Sequence, residues 1–289
     1  MNDRRTFLST AVLSAGAFLS HANAEDEKLP GKTPNTKFAV NCEMWFTKLK
    51  FLERIEASAK LGFNAIEFWP WQGKDLKAVA DICAKHKIDI AQFTAWGFSP
   101  GLNDAKNHNQ FVEAVDKGCE VAKSLNCKMM CVVGGDDIPG VSQEKMHDTI
   151  VEGLKKAAPI AEKHRIMLIL EPMNIRVDHK GHCLYGSAPT IRIIKAVGSD
   201  MVKINWDLYH MHITEGDLCG HLREGIGQVG YIQVADHPGR NEPGTGEINY
   251  TRVYKELQKL GYKGIVGLEC RPLKDETSAA WAVNKSDQW

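Results

Sequence analysis

The chain carries no basic block or stripe. Lys plus Arg and Asp plus Glu number 36 each, so the formal charge is zero. Proteins that hold nucleic acid show an electrostatic footprint, and its lack argues against nucleic acid as a partner. There are eight cysteines, yet no Cys-x-x-Cys pair and no zinc-finger spacing. Cys42, Cys83, Cys119, Cys127, Cys131, Cys183, Cys219 and Cys270 lie scattered, several of them in apolar patterns, and are expected to be mostly free thiols. The N-terminal apolar run, residues 11–19, is too short to span a bilayer comfortably. No glycine follows the first strand-like segment, where the residues are Cys42-Glu43-Met44-Trp45-Phe46. An open dinucleotide-binding sheet would place its phosphate loop there, which disfavours that fold.

What is present points to an exported enzyme-sized domain. The chain has 289 residues, 25% charged and 43% hydrophobic, enough for a real core. Arg4-Arg5-Thr6-Phe7-Leu8, the apolar run and Ala22-Asn23-Ala24 form a positive region, an apolar region and a cleavage site. The paired arginines resemble a twin-arginine export signal. Residues 1–24 are therefore expected to be removed, residues 25–36 to form a flexible leader, and the mature chain to reach the periplasm. Membrane contact is expected only during export. An uncleaved anchor is the alternative, though no cysteine stands at the cleavage point to take a lipid.

From residue 37 onward, short apolar runs alternate with segments of 3.6-residue periodicity. Strands are expected at 38–43, 65–69, 89–94, 128–133, 165–170, 202–206, 229–235 and 264–268. Helices are expected at 49–61, 76–86, 107–125, 143–164, 188–197, 216–225, 250–260 and 278–283. Eight such units in this length predict an α/β fold, a single-domain (β/α)8 TIM barrel over residues 37–289.

Residues 231–250, YIQVADHPGRNEPGTGEINY, begin as a strand and end in a long polar loop. Much Gly and Pro beside many ionisable groups suits a binding loop on a rigid scaffold. Three acidic strand ends point to the same place. Glu171 ends strand five, Asp207 ends strand six and Glu269 ends strand eight, while strand seven carries Gln233. The spacings are 36, 26 and 36 residues, against about 30 per βα unit. The four groups should lie at equal height at the C-terminal mouth. Converging carboxylates repel, and a divalent cation is the usual remedy. Three carboxylates and an amide oxygen form a hard oxygen site, which favours Mg²⁺ or Mn²⁺.

The chain resembles the hydroxypyruvate isomerase family of the xylose isomerase-like barrel superfamily. The resemblance rests on Glu171-Pro172-Met173-Asn174, Asp207-Leu208-Tyr209-His210-Met211, Gln233-Val234-Ala235-Asp236 and Pro243-Gly244-Thr245-Gly246-Glu247-Ile248-Asn249-Tyr250. It implies Glu171, Asp207, Gln233 and Glu269 as metal ligands, and Glu171 with Glu269 as the acid/base pair. It implies His210 and Arg240 as substrate contacts, and homo-oligomers. Residues 93–101, after strand three, depart from the family's pattern, and an export signal is a second departure.

A small hydroxy-carbonyl compound or sugar is the expected substrate. One glutamate can take a proton from carbon and the other return one, with the cation stabilising an enediolate. That constellation allows either 1,2-isomerisation or epimerisation. Arg240 can pair with a substrate carboxylate, or else with Glu242 in its own loop. Glu67 on strand two is expected in a substrate or supporting role. Trp45, Trp69, Trp71 and Trp96 fall near the ends of the first three strands, as core packing or as an apolar wall. His179, His182 and His212 are expected on the surface or rim.

Overall fold

A computed structural model describes residues 29–289. Eight strands close into a parallel barrel in sequence order. They are β1 (Phe38–Asn41), β2 (Ala65–Phe68), β3 (Asp89–Trp96), β4 (Met129–Val133), β5 (Met167–Glu171), β6 (Val202–Asp207), β7 (Val229–Val234) and β8 (Val266–Leu268). The helices are α1 (Phe51–Lys60), α2 (Leu76–His86), α3 (His108–Ser124), α4 (Gln143–His164), α5 (Ser187–Val197), α6 (Leu208–Thr214), α7 (Leu218–Gly225), α8 (Tyr250–Lys259) and α9 (Glu276–Ser286). The expected TIM barrel is thus observed. The expected signal, residues 1–24, lies outside the described residues.

The strands are buried on both faces, which is why they read as short apolar runs. Outward-facing residues such as Val40, Ile66, Phe93, Val132 and Leu170 pack against the helices. Inward-facing Ala39, Ala65, Ala91, Ile169 and Tyr231 form a separate cluster inside the barrel. Three alanines opposite one tyrosine fill a narrow interior with unequal side chains. All eight cysteines are free, and seven are buried.

Two expectations are revised. Residues 29–36 are seated on the barrel and not a loose leader. Gly31 N–H donates to Leu61 O at 2.7 Å, and the Asp287 carboxylate accepts from the Asn35 and Thr36 amides at 2.8 and 2.9 Å. Helix α6 was not anticipated. It starts directly from β6 because Asp207 Oδ1 accepts the Tyr209 amide at 2.8 Å and caps it.

One side chain makes three of the hydrogen bonds that hold the loop after β7. Asp236, fully buried, accepts the amides of His237 at 3.0 Å, Gly244 at 2.8 Å and Ile248 at 3.0 Å. Those three bonds fix a loop that the Gly and Pro content alone would leave with many shapes. Replacing Asp236 with Ala strands the buried Ile248 donor, costing about 1–3 kcal/mol, and removes the partly buried bonds to His237 and Gly244. Asp236→Ala is expected to lose roughly 3 kcal/mol of stability by urea denaturation; a loss below roughly 0.5 kcal/mol would contradict this account.

Candidate active site

The three carboxylates, Glu171, Asp207 and Glu269, meet at the C-terminal mouth, while the Gln233 amide is bonded to Glu67 and Asn205 just below them. Leu170 pairs with Ile204, so Glu171 is level with Asn205, two residues short of Asp207. Asp207 pairs with Gln233, and Gln233 pairs with Gly267, two residues short of Glu269. The strands thus advance four residues over three steps. Tilted strands closing an eight-stranded barrel advance about one residue per strand, so along the barrel axis the groups share nearly one height.

Glu171, Asp207, His210 and Glu269 each offer an atom within 4.8 Å of the others, and all four are buried. Burial first, then the neighbouring Glu269 and Asp207 charges, pushes the Glu171 carboxyl well above the usual range. Burial and then Glu269 push Asp207 up likewise. Asp207 Oδ2 is buried with no hydrogen-bond partner.

Arg240 enters this cluster from the β7 loop, on a left-handed backbone with φ 55°. Its Nη2 donates to Glu269 Oε2 at 2.6 Å and lies 3.7 Å from Asp207 Oδ2. Its Nη1 is 3.7 Å from Asp178, and its guanidinium sits 5.1 Å from the centre of the Tyr209 ring. Burial alone would lower its pKa; Glu269, Asp207, Asp178 and Glu171 outweigh that and keep it charged. The alternative pairing with Glu242 is not made: Glu242 accepts the Leu273 amide at 2.9 Å.

His210 is positioned by Asn174. Asn174 Oδ1 accepts the Val177 and Asp178 amides at 2.9 and 3.1 Å, which turns its Nδ2 toward His210 Nδ1 at 2.7 Å. Nδ1 must therefore accept, and the proton sits on Nε2. Burial first, then Arg240, lowers the His210 pKa well below its usual value, so the ring is neutral. Its Nε2 lies 3.3 Å from Arg240 Nη2, 3.4 Å from Asp207 Oδ2 and 3.9 Å from Glu171 Oε1.

Glu67, expected in a substrate or supporting role, is not among the residues that line the cavity. It is fully buried among side chains inside the barrel. Its Oε1 accepts from Asn41 at 3.0 Å and Gln233 Nε2 at 2.8 Å, and its Oε2 accepts from Gln92 at 3.2 Å. The inward pleat of β2 at that height puts residue 67 beneath the floor.

Above the cluster lies a cavity of about 340 Å³. Trp69, Phe98, Val133, Met173 and His179 form its largely apolar wall. Trp69 also donates Nε1–H to Glu269 Oε1 at 2.8 Å, a contact the sequence reading did not foresee. His179 stacks on Phe98 with ring centres 5.0 Å apart, so it lines the cavity and is more than a rim residue. His182 is fully buried, contrary to expectation, and burial drops its pKa to about 3. His212 is at the rim, 2.8 Å from Glu247. Trp45 and Trp96 are buried in the core.

The donor set fits a hard divalent cation. Three carboxylates converge, one of their oxygens is buried and unpartnered, and Gln233, nearly fully buried, stands beside Asp207 in register. Without a cation, the Asp207 proton is held more tightly in the folded than in the unfolded chain. That contribution is complete below the ordinary aspartate range and is lost as pH rises toward the raised value of about 8. Asp207→Asn keeps the Oδ1 cap and removes the titration. In EDTA its melting temperature is expected to gain on the natural protein by several degrees from about pH 5 to about pH 8. Parallel curves would refute the assignment.

Comparison with known proteins agrees with this geometry. The family described as "Xylose isomerase-like TIM barrel" matches residues 55–285. The hydroxypyruvate isomerase of Escherichia coli is 33% identical over 243 residues, covering 82% of this chain and 93% of that protein. The 2-oxo-tetronate isomerase of Haemophilus influenzae is 30% identical over 250 residues, covering 82% and 93%. A solved structure described as an AP endonuclease, family 2, from Brucella melitensis superposes with a TM-score of 0.79 at 27% identity, covering 84% of this chain and 96% of that one. By fold, site and sequence, the chain belongs to the xylose isomerase-like TIM barrel family.

Proposed function

We propose that the chain is a divalent-metal-dependent intramolecular oxidoreductase that converts hydroxypyruvate to 2-hydroxy-3-oxopropanoate through an enediolate, acting in the periplasm after twin-arginine export. The observation that carries this reading is the facing of Glu171 and Glu269 into one cavity with Arg240 and a neutral His210. The named relatives, a hydroxypyruvate isomerase and a 2-oxo-tetronate isomerase, support the same reaction class.

The residues divide the work as follows. Arg240 binds the substrate carboxylate while held by Tyr209 and Asp178. His210 Nε2–H donates to a substrate oxygen. One of Glu171 and Glu269 takes the proton from C3 and the other delivers one to C2; the hydroxyl proton passes from O3 to O2, so no outside oxidant is needed. Burial and the Glu269 and Asp207 charges raise the Glu171 pKa, the direction that suits a group passing a proton between carbons. The apolar wall of Trp69, Phe98 and Met173 keeps water from the intermediate. Glu171, Asp207, Gln233 and Glu269 would hold Mg²⁺ or Mn²⁺, whose charge offsets that of the enediolate.

A second reading, ketose 3-epimerase, uses the same two glutamates, because an acid/base pair around a planar intermediate can reprotonate either carbon. A sugar-binding barrel without catalysis would need no second base.

Proton NMR in heavy water with Mg²⁺ separates these. We expect metal-dependent conversion of hydroxypyruvate, reduced about 10²–10⁴-fold in Glu171→Gln and in Glu269→Gln. Exchange at carbon 3 of a free ketose, with hydroxypyruvate untouched, would replace the reading with the epimerase. Calorimetric titration with Mn²⁺ tests the ligand set. Because burial raises the Glu171 and Asp207 pKa values, binding near about pH 6 should expel protons, and fewer as the pH approaches about 8. A heat independent of buffer ionisation enthalpy would exclude these carboxylates as ligands.

A further inference from the structure

Beneath the cavity runs a directional chain of buried side chains that the reaction itself does not call for. It begins at Glu67. Three amide groups, of Asn41, Gln92 and Gln233, point their N–H bonds at this carboxylate. A carboxylate so surrounded acts as acceptor. Gln233 must therefore turn Nε2 toward Glu67 at 2.8 Å and Oε1 away from it. Asn205 Nδ2 donates to that Oε1 at 2.6 Å and lies 3.8 Å from Cys131 Sγ on its other side. With its sulfur facing a donor, Cys131 directs its S–H to Glu171 Oε2 at 3.3 Å. Each of Glu67, Gln233, Asn205, Cys131 and Glu171 is buried.

The direction is imposed strongly enough to leave an acceptor unpaired. Asn205 Oδ1 is buried without a partner. Turning the Asn205 amide over would set that oxygen against Gln233 Oε1, two acceptors face to face, which is worse than one unsatisfied carbonyl. Room for Glu67 comes from Gly267, where any side chain would collide with the Glu67 carboxylate and the Tyr231 hydroxyl.

We propose that Glu67 is a positioning residue: through Gln233, Asn205 and Cys131 it fixes which way the Gln233 oxygen faces and holds Glu171 by a thiol hydrogen bond, so that Glu171 Oε1 is presented to the substrate. The proposal takes its roles for Gln233 and Glu171 from the isomerase reading, but its structural core does not need metal or substrate. Outer partners of this kind typically alter metal affinity or activity by about 10–100-fold when removed.

The infrared S–H stretching band of Cys131, isolated as the difference between the natural protein and Cys131→Ser, tests it directly. The expected band is shifted to low frequency by a carboxylate acceptor, and returns to the free-thiol position in Glu67→Gln. Asn205→Leu, which breaks the chain at its middle, should do the same if Glu67→Gln fails to fold. A free-thiol band in the natural protein, or a band that neither variant moves, overturns the proposal. In kinetics, Cys131→Ala should lower kcat about 10-fold with KM little changed, and Cys131→Ser should restore it. Equal kcat in all three proteins overturns the thiol's role. A band that moves as expected in a protein inert toward hydroxypyruvate would leave the chain of bonds standing and remove the isomerase reading instead.

Discussion

Three carboxylates share a space from which water is nearly excluded, and their repulsion shapes the rest of the molecule. Taking one carboxylate out of water already costs several kcal/mol; beyond burial, the Glu269 and Asp207 charges raise the Glu171 pKa further, and the Glu269 charge raises that of Asp207. The fold tolerates this because positive charge is delivered to the same point. Arg240 reaches Glu269 at 2.6 Å and Asp207 at 3.7 Å. The β7 loop that delivers it is tied down by Asp236 and by the Arg271 amide on Arg240 O, and Arg240 adopts a left-handed backbone. A loop rich in glycine and proline is thus a delivery device for one guanidinium.

The barrel contributes the meeting point. Parallel strands closed with a stagger bring residues far apart in sequence to one level of the axis. Helix α6 uses Asp207 twice, as its cap through Oδ1 and as a member of the cluster through Oδ2. Asn174 likewise ends its own loop with two backbone bonds and then spends its remaining amide protons on Asp178 and His210. Such double use makes the geometry stiff: neither side chain can rotate without breaking local structure.

That doubling also explains what could be read from the sequence. Glu171, Asp207 and Glu269 were legible because each closes an apolar strand, and strand ends of a barrel point to one mouth. The Asp207 cap was equally local, yet Leu208-Tyr209-His210 looked like a continuation of the strand end, so α6 went unseen. Glu67 also ends a short apolar run, but the level it reaches depends on the stagger. Its bond to Gln233 spans 166 residues, and that from Trp69 to Glu269 spans 200; no local pattern announces either. His182 read as a rim residue because polar residues surround it in sequence. It is buried because the β5 loop folds back, with the Cys183 amide bound to Gly135 O at 3.0 Å.

Charge counting links the substrate to the cation. The raised Glu171 and Asp207 pKa values favour protons on those carboxyls until a cation displaces them; fully ionised as ligands, the three carboxylates together with a protonated Arg240 carry two net negative charges. A neutral ketose leaves that sum unchanged. A keto acid makes it three, in a pocket of low effective dielectric where each added like charge is costly. A divalent cation reduces the sum to one, so cation and keto acid must strengthen each other's binding, and by linkage to the same degree. A sugar gains nothing from that term and would rely on the apolar wall and on its hydroxyls. The same residues therefore distinguish the two substrate classes by how strongly substrate affinity follows the metal. Arg240 is the pivot of the proposed reaction, since the guanidinium that pairs with Glu269 is also the group that would turn toward an arriving carboxylate.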